Sequence, residues 1–174
     1  AMPGLLDPNF HQTVICLSEH TRDGAVGIVI NRVHPSLKAE AIFSELEMAC
    51  RHAIGQAPVH LGGPVHASEV FILHGRPCDA GVSLESTPRL ARSTSRVVLA
   101  RIALGKGPVA FVISLGCAGW GPGQLEAEIR QNAWLTSDID ENIMFDVPVE
   151  ARGERAMRQL GIDPALLIGA AGHA

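Results

Sequence analysis

The sequence predicts an α+β (mixed α/β) fold, and three observations carry that prediction. A two-strand hairpin opens the chain, and strands and helices then mix without the regular β-α-β period of a wound sheet. The composition can also support a core: hydrophobic residues make up 47% of the 174 and charged residues 18%, which excludes a disordered chain. A domain of this length buries roughly 70% of its unfolded surface. No repeat, linker or low-complexity tract divides the chain, so one compact domain over residues 1–174 is expected. Aromatic residues are only 4% with no Tyr, so Val, Ile, Leu and Ala must fill the core.

Each element has its own local reason. Thr13 to Ser18 begins with β-branched residues and reads as a strand. Thr21-Arg22-Asp23-Gly24 is a hairpin turn, and Ala25 to Asn31 is the return strand, apolar on both faces at Ile28-Val29-Ile30. Ile42, Leu46, Ala49 and Ala53 lie on one helical stripe, which predicts a helix from about Leu37 to His52. Short strands follow at Pro58–Leu61 and Val70–His74, around a loop holding Gly62-Gly63-Pro64. Gly75 to Gly81 reads as loop, with weak strand character at Val82–Leu84 and Arg89–Ala91. A helix is expected next, with Ser93 or Thr94 as N-cap and Gly105 just past its end. Val109 to Leu115 is the strongest strand, and Gly116 to Gly123 reads as a glycine-rich loop. Gln124–Asn132 is helical with a Glu126–Arg130 pair, and Trp134–Thr136 is extended. A helical turn is expected at Asp140–Phe145 and a helix at Glu150–Leu160 stopped by Gly161. Asp163-Pro164 then starts a last short helix.

Composition also narrows function. No apolar run approaches the ~18 residues of a membrane span, and the N-terminus shows no basic and apolar leader, so no membrane association is expected. Cys16, Cys50, Cys78 and Cys117 are scattered with no C-x-x-C, which reads as a reduced, cytoplasmic protein. The formal net charge of −4 disfavours a dedicated nucleic-acid binder.

Candidate chemistry is sparse. The Gly116–Gly123 loop joins a strand to a helix, where free N–H groups cradle phosphates, yet it completes neither the Walker nor the dinucleotide fingerprint. Its plain alternative is a tight turn. Cys117 on that loop is a nucleophile only if its thiolate is stabilised, and otherwise a small apolar residue. His60, His66, His74 and Cys78 have zinc-capable chemistry without a standard spacing. Arg89, Arg92, Arg96, Arg101 and Lys106 form the one basic stretch, read as a solvated surface or as an anion contact through Ser95-Arg96. Trp120 and Trp134 are anchors or pocket walls. No catalytic residue, cofactor or metal site is assigned.

Several segments together resemble one bacterial family, the AlgH/YqgE proteins. They include Asp7-Pro8-x-Phe10, Gly24 to Asn31, Leu61-Gly62-Gly63-Pro64, Phe71 to His74 and Thr94-Ser95-Arg96. Leu115-Gly116-x-Ala118-Gly119-Trp120, Gly123-Gln124-Leu125-Glu126-x-Glu128-Ile129, Asn132 to Thr136, Leu160 to Asp163 and Gly172-His173-Ala174 complete the set. The resemblance implies a small β-barrel-like mixed sheet flanked by helices, a cytosolic setting and a role in regulating transcription, with no catalytic residues to carry over. The chain departs from that pattern where Cys117 replaces Tyr, Val97 replaces Asp and Gly153 replaces Trp. Family members also tend to have an apolar stretch before the Ala1-Met2-Pro3 segment, so a first strand is expected to precede this numbering.

Two functional classes stay open. The first is a regulatory protein acting indirectly through a protein or small-molecule partner, since no helix-turn-helix or strong basic face supports direct DNA binding. The second is a small-ligand binder or enzyme with a pocket of Gly62, Gly63, Ser95, Arg96, Gly116, Gly119 and Trp120.

Overall fold

One long strand organises the molecule. In the computed structural model, which describes residues 1–75, 84–85 and 90–165, that strand is β8, Phe111–Trp120. Its residues Phe111 to Cys117 pair antiparallel with β5 (Val65–Gly75) on one edge. Its other edge is shared: Ile113 to Leu115 pair in parallel with β4 (Pro58–Leu61), and Ala118 to Trp120 pair antiparallel with β2 (Gly24–Val29). Outward from there, β2 carries the hairpin strand β1 (Ile15–Thr21), β4 carries β3 (Val33–Lys38), and β5 carries β7 (Leu90–Ser93) and then β6 (Leu84–Glu85). The result is an eight-stranded mixed sheet in an α+β fold.

The sheet is not closed into a barrel. Among the described residues β1 pairs only with β2, so the hydrogen-bonded order ends there. β1 is nonetheless joined to β7, the strand next to the other end, where Arg92 of β7 donates to Glu19 of β1 at 3.0 Å. That bridge is made by side chains and supplies no ladder.

The sheet separates two core layers and has a third cluster at one end. On one face, α1 (Ala39–Glu45) and α3 (Arg96–Ala103) lay Ile42, Phe43, Val98, Leu99 and Ile102 over Val59, Ile72 and Ile113. On the other, Cys16, Ile28, Phe71, Leu73, Val112 and Cys117 pack with Met144 from α5 (Glu141–Phe145). At the far end of β8, Trp120, Trp134 and Leu125 of α4 (Gln124–Arg130) gather the N-terminal segment through Phe10. A short α2 (His52–Gly55) and α6 (Arg152–Gln159), entered through a 3-10 turn at Val149–Ala151, complete the described elements.

The hairpin, the central strand and the helices near 96–103, 124–130 and 152–159 lie where the sequence predicts them. Three expectations need correction. The helix expected over 37–52 is instead strand β3 followed by the seven-residue α1, because β3 is claimed by β4 through Val33–His60 and Lys38–Pro58. That helix stops where Glu47 takes φ +55° and Met48 N–H bonds back to the Phe43 carbonyl, a helix-ending turn made without glycine. The glycine-rich loop expected at 116–123 is strand as far as Trp120, held in the sheet by β2. The cap of α3 is Ser95, not Ser93 or Thr94, because β7 extends through Ser93. Cys78, Arg89 and the terminal Gly172-His173-Ala174 lie outside the described residues.

Candidate functional site

The glycine segments come together for a topological reason. β4 lies on one edge of β8 and β5 on the other, yet only Gly62-Gly63-Pro64 joins them. That connection must step over the β8 backbone, and it does so at Gly116-Cys117. Gly62 N–H donates to the Leu115 carbonyl at 2.8 Å, and Val29 N–H donates to the Gly62 carbonyl at 2.9 Å. A Cβ on Gly62 would sit 2.2 Å from the Gly116 carbonyl oxygen, and one on Gly63 would sit 2.3 Å from the Cys117 carbonyl carbon. Gly63 (φ +148°) and Gly116 (φ +72°) also hold backbone that other residues avoid. The Gly62 N–H is spent on the crossing itself, where backbone packs on backbone.

Ser95 and Arg96 serve a different place. Ser95 Oγ accepts from Val97 N–H at 3.2 Å, capping α3, and Ser93 Oγ accepts from Ser95 N–H at 3.1 Å. Arg96 reaches to α1 and donates to the Leu46 carbonyl at 2.9 Å. These hydrogen bonds run to α1 and the end of β7, not to the glycine crossing. A Cβ on Gly119 would lie 3.4 Å from the Val65 side chain. Two open grooves, about 510 and 350 Å3, lie beside the end of α6, the larger lined by Thr136, Ser137, Asp138, Gln159 and Leu160. None of the seven residues expected to form a pocket lines either groove.

Trp120 belongs to a polar-centred aromatic knot. Its indole N–H donates to Glu128 at 2.9 Å, and the Trp134 indole donates to the same carboxylate oxygen at 2.7 Å. Gln124 adds a third donor at 2.9 Å. Burial opposes the charge on Glu128, but the donors from Trp134, Gln124 and Trp120 outweigh it and hold its pKa below the usual carboxylate range. Phe10 lies 6.2 Å from Trp120 and 5.7 Å from Trp134 between ring centres, so the knot fastens the N-terminal segment to α4.

Arg152 and His60 form a buried polar contact that the sequence did not signal. Arg152 is 5% exposed, and its guanidinium donates to the carbonyls of Ile30 and Val147 and, at 3.2 Å, to His60 Nε2. Nε2 therefore accepts and the ring proton sits on Nδ1, which is buried without a hydrogen-bond partner. Burial pushes the His60 pKa down to about 4, Arg152 adds to the shift, and the carbonyls of Ile113 and Ile30 oppose it. Arg152 is itself lowered by burial, with Glu150 opposing. An arginine inside a strongly charged C-terminal helix carries no local sign that it points inward.

The remaining candidates disperse. His66 pairs with Glu69 at 3.0 Å, and buried His74 donates to the Gly75 carbonyl at 3.0 Å, so the histidines do not converge with His60. No group of three metal-capable side chains occurs among the described residues. Burial raises the Cys117 thiol, Arg92 opposing and Glu69 adding, and pushes Cys16 up to about 12, so both are thiols at neutral pH. Glu126 turns to His20 of β1 at 2.6 Å rather than to Arg130. No described helix is long and apolar enough to cross a membrane.

Comparison with known proteins agrees with this architecture. The chain is similar to the solution structure of the AlgH protein from Pseudomonas aeruginosa, with a TM-score of 0.79 and 46% identity over 100% of this chain and 92% of that one. A crystal structure of protein DIP2367 from Corynebacterium diphtheriae shares the fold at a TM-score of 0.67 and 19% identity, covering 88% of this chain and 82% of that one. Among curated proteins, a UPF0301 protein of Desulforapulum autotrophicum is 47% identical over 162 residues, 93% of this chain and 86% of its own length. One of Ralstonia nicotianae is 44% identical over 175 residues, 100% of this chain and 92% of its own. With a family model described as AlgH-like matching residues 1–165, the chain belongs to the AlgH-like family.

Proposed function

We propose that this protein is a cytoplasmic regulatory contact protein that affects transcription indirectly, through a partner, and does not read DNA itself. The observation that carries this reading is the disposition of its basic stretch. Arg92 is tied to Glu19 and lies 6.0 Å from the Phe71 ring centre, and Arg96 is tied to the Leu46 carbonyl. Cations engaged in holding the fold are poorly placed to follow a phosphate backbone, which calls for a row of free ones. The glycine segments, packed backbone on backbone, favour a solid scaffold over a ligand cradle.

The test is fluorescence anisotropy with promoter fragments from the source bacterium across a salt series. Weak binding that does not depend on sequence is expected. Tight, salt-sensitive, sequence-specific binding by the protein alone would overturn the reading.

A further inference from the structure

One face of α3 is built the wrong way round for a surface helix. Its inward side is ordinary: Val98, Leu99, Ile102 and Ala103 are buried. At about 100° per residue, Val97 and Leu104 fall within ~20° of one another and opposite that side, where solvent calls for polar residues. Val97 is 57% exposed and Leu104 42%.

Charge surrounds this apolar stripe unevenly. Arg101 flanks it on the helix, exposed Lys106 follows it, and the Arg51 guanidinium comes within 2.9 Å of the Cβ position at Gly105. No Asp or Glu occurs from Ser86 to Leu125, although the whole chain is acidic at −4. Glu40 of α1 packs against Gly55 of α2, and Glu45 and Glu47 flank Leu46 beside Arg96 at the opposite end of α3. The basic character therefore concentrates around Leu104.

We infer that the outward face of α3 docks an acidic amphipathic segment of a partner protein. Its apolar side chains cover Val97 and Leu104, and its carboxylates face Arg101, Lys106 and Arg51. This inference rests on the regulatory-contact reading and gives its partner a chemistry. A second copy of this chain is a poor occupant, because a two-fold contact through this face would set Arg101, Lys106 and Arg51 against their own copies. Nucleic acid is a poor occupant as well, because the centre of the face is apolar.

The experiment places a photo-crosslinking phenylalanine analogue at Val97 of the full chain in the source bacterium and sequences the captured peptide. In parallel the analogue is placed at Leu61 and at Leu135, which are exposed on other surfaces. A synthetic copy of the captured segment is then titrated against the wild type, V97D, L104D and R101E. The expected segment alternates apolar and acidic residues, and V97D and L104D weaken it at least tenfold. R101E should weaken it and flatten its salt dependence. V97D should still melt like the wild type, since Asp is favourable in the first turn of a helix. Capture of a basic segment, of lipid, of this same chain or of nothing at Val97 overturns the inference, as does unchanged binding by V97D. A specific partner caught only from Leu61 or Leu135 removes the α3 inference and leaves the regulatory reading standing. No partner from any position removes both.

Discussion

Acid should unfold this protein partly through one ring. His60 is 3% exposed, accepts from Arg152 and has a pKa lowered from 6.5 to about 4. In the folded chain it therefore stays neutral over a window in which the unfolded chain takes up a proton. The stability tied to that neutral ring is fully present above pH 6.5 and is lost as pH falls toward the folded value. One proton changes stability by about 1.4 kcal/mol per pH unit, so a window of this width removes roughly 3 kcal/mol, a large share of a typical 5–15 kcal/mol total. H60Q keeps an acceptor for Arg152 and removes the titration. Chemical denaturation of both proteins across a pH series isolates the ring, because every other group titrates in both. The wild type is expected to lose stability faster below pH 6.5 by about 1.4 kcal/mol per unit, until the two curves converge or cross. Parallel curves would refute the argument, and would mean that Arg152 moves away or that water reaches the ring before protonation costs anything.

Other residues give shorter tests. E128A leaves two indole N–H groups and Gln124 without their shared acceptor, and charged hydrogen bonds are worth about 1.5–3 kcal/mol each. Glu128 is only half-buried, so water replaces part of what is lost; a loss of roughly 3 kcal/mol is expected, with E128Q between it and the wild type, read by denaturation and tryptophan fluorescence. G63A places a Cβ 2.3 Å from backbone at φ +148°, and should cost roughly 2–5 kcal/mol from clash and strain together; a wild-type melting temperature would show that the crossing can part. G153A meets only Asn31 Nδ2 at 3.7 Å in the first turn of α6, and should raise stability by about 0.5 kcal/mol. E19Q breaks the bridge between β1 and β7, but Glu19 is half exposed, so thermal unfolding should show a change under about 1 kcal/mol.

Local chemistry made much of the fold legible. The Asp23-Gly24 turn, the apolar run into β8 and Gly105 and Gly161 at helix ends are signals readable within a few residues. Where the reading missed, a distant partner decided. Residues 33–38 carry no strong strand signal and become β3 only because β4 offers an edge. Residues 116–120 look like a loop by composition, yet β2 supplies the pairing that keeps them extended. The candidate pocket rests on Gly62, Gly63, Gly116 and Gly119 together with Ser95, Arg96 and Trp120. Glycine marks any close approach to backbone, whether by a phosphate or by the chain itself, and composition cannot distinguish the two.

The Gly and Pro content, the apolar core without tyrosine and the basic run in an acidic chain were all determined by sequence, because each depends on residue type alone. So was the family resemblance, which rests on ordered motifs. Only the tertiary structure decided what those features do. It set Gly62-Gly63 across β8, turned Arg152 inward onto His60, and gathered both tryptophans on one carboxylate. It also left Val97 and Leu104 facing water while their helix neighbours were buried. The crossing and the Arg152–His60 contact join residues far apart in the chain, fixed when the sheet brings its strands into register, and no local pattern encodes them.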